Sequence, residues 1–568
     1  MEQPEQRRSL KIDYIICATI TAVALAVRFY GIQYGLPFPL KADEPYIIDS
    51  AMGNFYGQSP IILGWPGSLL VLILFVFYYF YYLLLKLSGS LSSIEDLIFM
   101  YWNDPGTFYL IGRVFVAVTG AATVAVLYRM ASKMYCRTTA ILSSSFLALA
   151  FLHMRHSHFA LPDVPMTLIL VVLVFLSYRI MKGAGTWTYL LAGAPCGLAV
   201  ALKFNSVMIV APLLLAHFLR EAEHKRGDWW NLSLMLISMP FFFYVGCPYV
   251  LTDPHAVLES IRTVVIHQKS IGNTRAIATS PVFLYLFGTI LPKSTGIPMV
   301  VMAVAGVLVL LIRPSRKNLL VLSYPVLYVI LLSTSKTLFL RYSIPLIPFM
   351  ALLAALFIVR AVSMLSSPAA RKVCLVTLSC LIILPQFWNT VMFGHMLTET
   401  DTRTEAREWM IEQLSGGSRI VLDSVPFSVP LGFTEYVLNY ERLGNRWGPL
   451  KYKYLNAHSE QKMNSFELKY TTGEISETFW EFDPHFVIVS SYVKNLFYGT
   501  SGENLTRKMP KTVERRRAYY DRVEERGELL LVFSPVGVGE DEPDDVYGVD
   551  VYPQPGPVIK IYQMRRVE

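Results

Sequence analysis

Apolar runs of helix length, broken by short polar stretches, occupy most of residues 13–395. A hydrocarbon core about 30 Å thick takes roughly 17–25 helical residues, and a chain crossing it must satisfy its backbone hydrogen bonds within the segment. The pattern predicts about eleven membrane-spanning helices, near residues 13–30, 108–128, 138–154, 164–181, 187–202, 204–220, 231–247, 297–313, 318–334, 343–360 and 373–392. Beyond His395 the pattern changes. Helical stretches near Thr404 to Leu414 and Val513 to Arg526 accompany strand-like runs RIVLDSV, HFVIVSSYV, ELLLVFS and VIKIYQM, which predicts an α/β domain. Two domains follow: 1–395 in the membrane and 396–568 beyond it.

One run complicates the topology. SLLVLILFVFYYFYYLLLK, Ser68 to Lys86, is long enough to span. Basic clusters decide against it, because positive residues gather on the cytoplasmic side of membrane proteins. The clusters are Arg7, Arg8 and Lys11; Arg129, Lys133 and Arg137; Arg179 and Lys182; Arg220, Lys225 and Arg226; Arg313, Arg316 and Lys317; and Arg360, Arg371 and Lys372. All share one side only if Ser68 to Lys86 lies in the interface or re-enters on the outer face. Residues 1–12 are then cytoplasmic, the first span is uncleaved, and the C-terminal domain is extracytoplasmic.

Composition agrees: 568 residues, 54% hydrophobic and only 16% charged, describe a polytopic integral membrane protein, for which the cell or plasma membrane is the expected location. The net charge of +8 sits in the topology clusters, so no nucleic-acid partner is expected. None of the six cysteines lies beyond residue 400, and no CxxC metal site occurs.

With this topology, charges from distant parts of the chain meet on the outer face: Asp43 and Glu44 in KADEPY, HMRHSHFALPD ending at Asp163, Lys203, the 248–296 loop and Arg341. Ionisable groups at a membrane boundary are costly and mark function by default. The loop CPYVLTDPHAVLESIRTVVIHQKSIGNTR reads as an amphipathic helix over the site, offering His267 and Lys269; an interface-lying connector is the simpler alternative.

The order of these motifs resembles a known superfamily. An Asp-Glu pair in the first outer loop, GWP heading an aromatic run, Arg113 opening a span, then HFALPDVPMTL, GLAVALKFN and RYSIPLIP is similar to glycosyltransferase C enzymes, among them protein O-mannosyltransferases and bacterial aminoarabinose transferases. DTRTEAREWMIEQ at 401–413 is similar to the start of the outer domain of the bacterial members. The resemblance implies inverting transfer of a sugar from a polyprenyl-phosphate carrier to a protein, glycan or lipid acceptor on the outer face.

Such a reaction needs a base for the acceptor proton and cations for the departing phosphate. Asp43 is the expected base, with Glu44 and Asp163 as further catalytic acids; the bland reading makes the first two solvated loop acids and Asp163 a helix cap. Lys203, Arg341, Arg113, Arg155, His158, His267 and Lys269 are the expected contacts to substrate and lipid phosphate. Lys203 could instead snorkel, and Arg113 could simply anchor its helix. His153, His156 and His158 with Asp163 offer zinc-type ligands, but their spacing is no compact set, so no metal or other cofactor is expected to be required. The acidic segment GEDEPDD at 539–545 reads as a solvated loop, and Trp229–Trp230 is followed by Asn231, which departs from the WWD of oligosaccharyltransferases. The competing class is a lipid or glycan transporter or flippase without bond chemistry, whose marks would be paired repeats or broken mid-membrane helices.

Overall fold

The structure, a computed structural model, describes residues 4–38, 40–41, 43–56, 68–221, 226–269, 281–335, 338–423, 427–431, 466–471, 477–498, 510–535 and 556–565. The GWP motif, the GEDEPDD segment and Arg275 lie outside them.

In chain order the principal helices are α1 (Pro4–Phe29), α2 (Glu44–Gly53), α3 (Ser68–Leu87), α4 (Ile94–Asn103), α5 (Gly106–Met134), α6 (Arg137–Leu149), α7 (Phe151–His156), α8 (Asp163–Met181), α9 (Thr186–Leu202), α10 (Val210–Phe218), α11 (Arg226–Gly246), α12 (Pro254–Lys269), α13 (Ile297–Ile312), α14 (Arg316–Ser333), α15 (Ile347–Ser363), α16 (Pro368–Met396), α17 (Thr402–Gln413) and α18 (Pro510–Arg526). Among the described residues eight helices are long and apolar enough to cross a membrane, or nine if the pair Val282–Thr295 and Ile297–Ile312, bent by 119°, is one span. A helix stands at each of the eleven expected positions, four of them (α6, α9, α10 and α13) short or bent, and the remaining long apolar helix is Ser68–Leu87. The protein is a polytopic helical membrane protein with a C-terminal α/β region.

Local chemistry sets the helix boundaries. Ser315 caps α14 by accepting from the Asn318 amide at 3.2 Å, and Ser93 with Asp96 forms a capping box at the start of α4. Small residues set the closest packing: a Cβ at Gly197 would lie 2.2 Å from the Met239 carbonyl, and one at Gly306 2.2 Å from that of Leu353. These glycines let α9 approach α11 and α13 approach α15, the small-residue packing on which membrane helices rely.

The aromatic run that could have spanned, one of the eight long apolar helices, is bonded to the bundle near one end. Ser68 Oγ donates at 2.8 Å to the carbonyl of Gly246, where α11 ends, and the buried Tyr78 hydroxyl donates at 3.0 Å to Phe108 in the first turn of α5. Arg113 near the start of α5 reaches the carbonyls of Ile32 and Tyr34, just past the end of α1. The exit of α1 and the entry of α5 are therefore at the same end. With about 1.5 Å per residue, the ten residues of α4 cover only half the core and cannot be a return span.

At that end sits a five-stranded sheet of order β2-β1-β3-β5-β4, with β1 (Arg419–Leu422), β2 (Glu467–Tyr470), β3 (Phe486–Ser490), β4 (Gly527–Phe533) and β5 (Ile559–Met564). β1 runs parallel to β2 and β3, while β5 is antiparallel to β3 and β4. Strand alternation separates the faces. Ile420, Leu422 and Ile488 pack with Ala406 and Met410 of α17, whereas Val421, Val487 and Val489 pack with Tyr519, Tyr520 and Val523 of α18. Four strands match the predicted runs. β2, reading ELKY, escapes a hydropathy reading because only one of its residues, Leu468, is aliphatic.

Candidate active site

The Asp43–Glu44 pair divides at the start of α2. Asp43 occupies the N-cap position but makes no capping bond; its carboxylate turns to Arg341 and pairs with that guanidinium. Its side chain keeps 24% exposure, whereas that of Glu44 has none. Glu44 takes a bidentate grip from Arg113, Nε to Oε1 at 3.0 Å and Nη2 to Oε2 at 2.7 Å, and accepts from the Ala160 amide at 2.8 Å.

Two expectations change here. Arg113 spends its guanidinium on Glu44 and on the carbonyls of Ile32 and Tyr34, so it is a buried brace rather than a cation presented to a phosphate. Glu44 is the other half of that brace and is unavailable as a second acid beside Asp43. A fully buried charge with a matched fork partner is held firmly because neither partner can be left alone at low cost.

Asp163, the first residue of α8, accepts from Lys203 Nζ at 2.6 Å. Lys203 stands in extended conformation, φ −162° and ψ 123°, at the break between α9 and the 3-10 turn Phe204–Ile209. Its ammonium lies 5.0 Å from the ring of Tyr342, the neighbour of Arg341. The two acid–cation pairs are thus adjacent, built from four separate segments of chain.

The histidines of HMRHSHFALPD go three ways. His153 Nδ1 meets Arg28 Nη2 at 3.1 Å. His158 fits between the carbonyls of Met154, 3.1 Å, and Tyr30, 3.0 Å, with burial pushing its pKa down to about 4. It therefore ties α7 to the end of α1 and is not placed to contact a lipid phosphate, contrary to expectation. His156 is 7% exposed and feels the charges of Lys41, Arg155, Arg341 and Lys203; burial first, then these cations, hold its imidazole neutral. Among the described residues no group of three or more His, Cys, Asp or Glu side chains converges as a metal site. Such an arrangement of four cations around two carboxylates suits a polyanion.

Arg155 stacks 6.0 Å over Phe393, and Lys41 stands 5.3 Å from the Phe159 ring centre. Lys41 was not among the expected contacts, although its position two residues before Asp43 was a signal that could have found it. Its pKa is pushed down to about 8, chiefly by burial and then by Arg155, against the opposing pull of Asp43. The side chains of His267 and Lys269, at the end of α12, lie outside the described residues.

The comparisons with known proteins fit this architecture. Residues 109–251, which carry Arg113, Arg155, Asp163 and Lys203, match the family model "Dolichyl-phosphate-mannose-protein mannosyltransferase". The fold is similar to ArnT from Cupriavidus metallidurans, solved with bound undecaprenyl phosphate and in the apo state, at 12% identity and a TM-score of 0.50 for each, over 96% of this chain and 97% of that one. The apo oligosaccharyltransferase of Archaeoglobus fulgidus aligns at 11% identity and a TM-score of 0.49, over 93% of this chain and 74% of that one. A search of curated proteins finds no match. The arrangement of helices, the segment matched by the family model and the motif order agree: the chain has the glycosyltransferase C architecture and resembles the protein mannosyltransferases and aminoarabinose transferases built on it.

Proposed function

We propose that the protein is an inverting glycosyltransferase that moves a hexosyl or pentosyl group from a polyprenyl-phosphate carrier to a protein, glycan or lipid acceptor. The observation that carries this reading is the adjacency of the Asp43–Arg341 and Asp163–Lys203 pairs beneath the C-terminal domain, with Arg155 and Lys41 adding positive charge. ArnT, similar in fold, binds undecaprenyl phosphate.

In this reading the carrier phosphate competes for Arg341 and Lys203 and draws them from their carboxylates. Asp43, released from Arg341, takes the proton of the acceptor hydroxyl or amine as that atom attacks the anomeric carbon. The bond from the anomeric carbon to the phosphate oxygen breaks, and its electron pair leaves with the phosphate, stabilised by Arg341, Lys203, Arg155 and Lys41. Asp163 orients Lys203, and His156, neutral among the cations, is a hydrogen-bonding neighbour of the phosphate. Base and cations supply the proton transfer and the charge stabilisation, so the reading invokes no cofactor. The end of the bundle carrying the site faces the extracytoplasmic side, and the N-terminus the cytoplasm, as the basic clusters require.

The test is turnover. Purified protein given a polyprenyl-phosphate sugar should release polyprenyl phosphate, and Asp43→Asn should slow that release by roughly 10²- to 10⁴-fold. Substrate movement without bond cleavage would support a transporter instead and overturn the reading.

A further inference from the structure

We propose that Arg403 of the C-terminal domain is a positioning residue for the membrane-embedded site, holding the loop that carries Lys41 and Asp43. This inference rests on the proposed role of Asp43 as base.

The junction between the two parts of the chain contains a buried ion pair. Asp401, 2% exposed, and Arg403, 3% exposed, pair through Nε to Oδ1 at 2.8 Å and Nη2 to Oδ2 at 2.7 Å. Their remaining capacity points across the junction. Arg403 Nη1 donates at 3.1 Å to the carbonyl of Leu40, and the Tyr34 hydroxyl donates at 2.5 Å to Asp401 Oδ2. Arg407, one turn on, stacks 4.5 Å over Phe38 of the same loop. The other end of the loop is held by Arg113 at the carbonyls of Ile32 and Tyr34. The loop is thus gripped from the membrane part at one end and from the domain at the other, and Asp43 follows three residues after the last grip.

The domain's side of the grip is itself braced to the sheet. Thr402 Oγ1 donates at 2.6 Å to the carbonyl of Pro557, just before β5. Gly556 approaches so closely that a Cβ there would lie 2.2 Å from Thr402 Oγ1 and 2.6 Å from Asp401 Oδ1, and its φ of +94° suits glycine. The sheet therefore fixes Asp401 and Thr402, Asp401 fixes the Arg403 fork, and the fork fixes Leu40. An arginine does this where a lysine would not, because one planar group serves the carboxylate and the carbonyl together. Small displacements of a base are costly in rate, on the order of 10²-fold for about 1 Å.

The experiment compares wild type with Tyr34→Phe, Arg403→Lys and the double variant Arg403→Ala/Asp401→Asn, which removes both buried charges and so avoids leaving one unpaired. Release of polyprenyl phosphate per folded molecule and hydrogen exchange of the Leu40–Asp43 backbone are measured together. The expected result is a kcat lowered roughly 10–100-fold in the double variant, a smaller loss in Arg403→Lys, donor KM within about twofold of wild type, and faster exchange at the loop. A merely structural role would lower the folded fraction and leave kcat per folded molecule unchanged; that outcome overturns the proposal, as does unaltered loop exchange. Wild-type protein inert toward every polyprenyl-phosphate sugar would sink the glycosyltransfer reading, while the exchange measurement would still decide whether Arg403 holds the loop.

Discussion

Arg341 pairs with Asp43 across 298 residues of sequence, and the very next residue, Glu44, is claimed by Arg113 instead. Adjacent acids thereby acquire different fates. One is partly exposed beside cations; the other is sealed into the frame.

Asp43→Asn is expected to lower turnover by roughly 10²- to 10⁴-fold, the usual contribution of a positioned base, with an unchanged melting curve. Assay of polyprenyl phosphate release alongside thermal unfolding in detergent checks both halves. Full activity in this variant would remove Asp43 from the mechanism.

Glu44→Ala should behave in the opposite sense. It leaves Arg113 buried without its carboxylate and the Ala160 amide without its acceptor, and breaking such a pair costs about 3–5 kcal/mol. A large drop in melting temperature is expected, and whatever protein folds should retain most of its turnover. Normal stability together with lost activity would restore Glu44 as a catalytic acid.

Lys41, held near a pKa of about 8, predicts a pH dependence in donor binding. Below that value the ammonium is charged and adds to the field that attracts phosphate; above it the charge is lost. Donor KM should be flat up to about pH 7 and rise beyond pH 8. Lys41→Arg, always charged, should flatten the rise. Titration of KM from pH 6 to 9.5 in both proteins tests it.

Asp423, buried at the end of β1, accepts from Thr471 Oγ1 at 2.9 Å, the Ser490 amide at 2.8 Å and the Tyr520 hydroxyl at 3.1 Å, yet burial outweighs these bonds and raises its pKa to about 6. The folded carboxyl thus binds its proton more tightly than the unfolded one. Stability from this group is fully present below pH 4, is lost as pH rises through about 6, and amounts to about 3 kcal/mol. Asp423→Asn should flatten the decline. Denaturation of the full chain followed by exchange of the β1 and β3 amides between pH 4 and 8 measures it.

Hydropathy and charge along the chain determined that this protein is polytopic, where its helices stand, that an α/β region follows them, and that the informative charges lie at helix ends. Those properties are local: a helix crossing lipid must be apolar along its own length, and a strand shows its faces by alternation. Asp43, Asp163, Lys203, Arg341 and Arg155 stood out as candidates because a charge beside or within an apolar run is conspicuous. Partner choice was not legible, since it depends on contacts between segments hundreds of residues apart. Only the tertiary structure separated Asp43 from Glu44, turned Arg113 into a brace, placed His156 rather than His158 among the cations, and added Lys41. The contacts of α3 belong to the same class: its composition permits a span, and only the tertiary structure shows Ser68 and Tyr78 bonded to Gly246 and Phe108 at one end of the bundle.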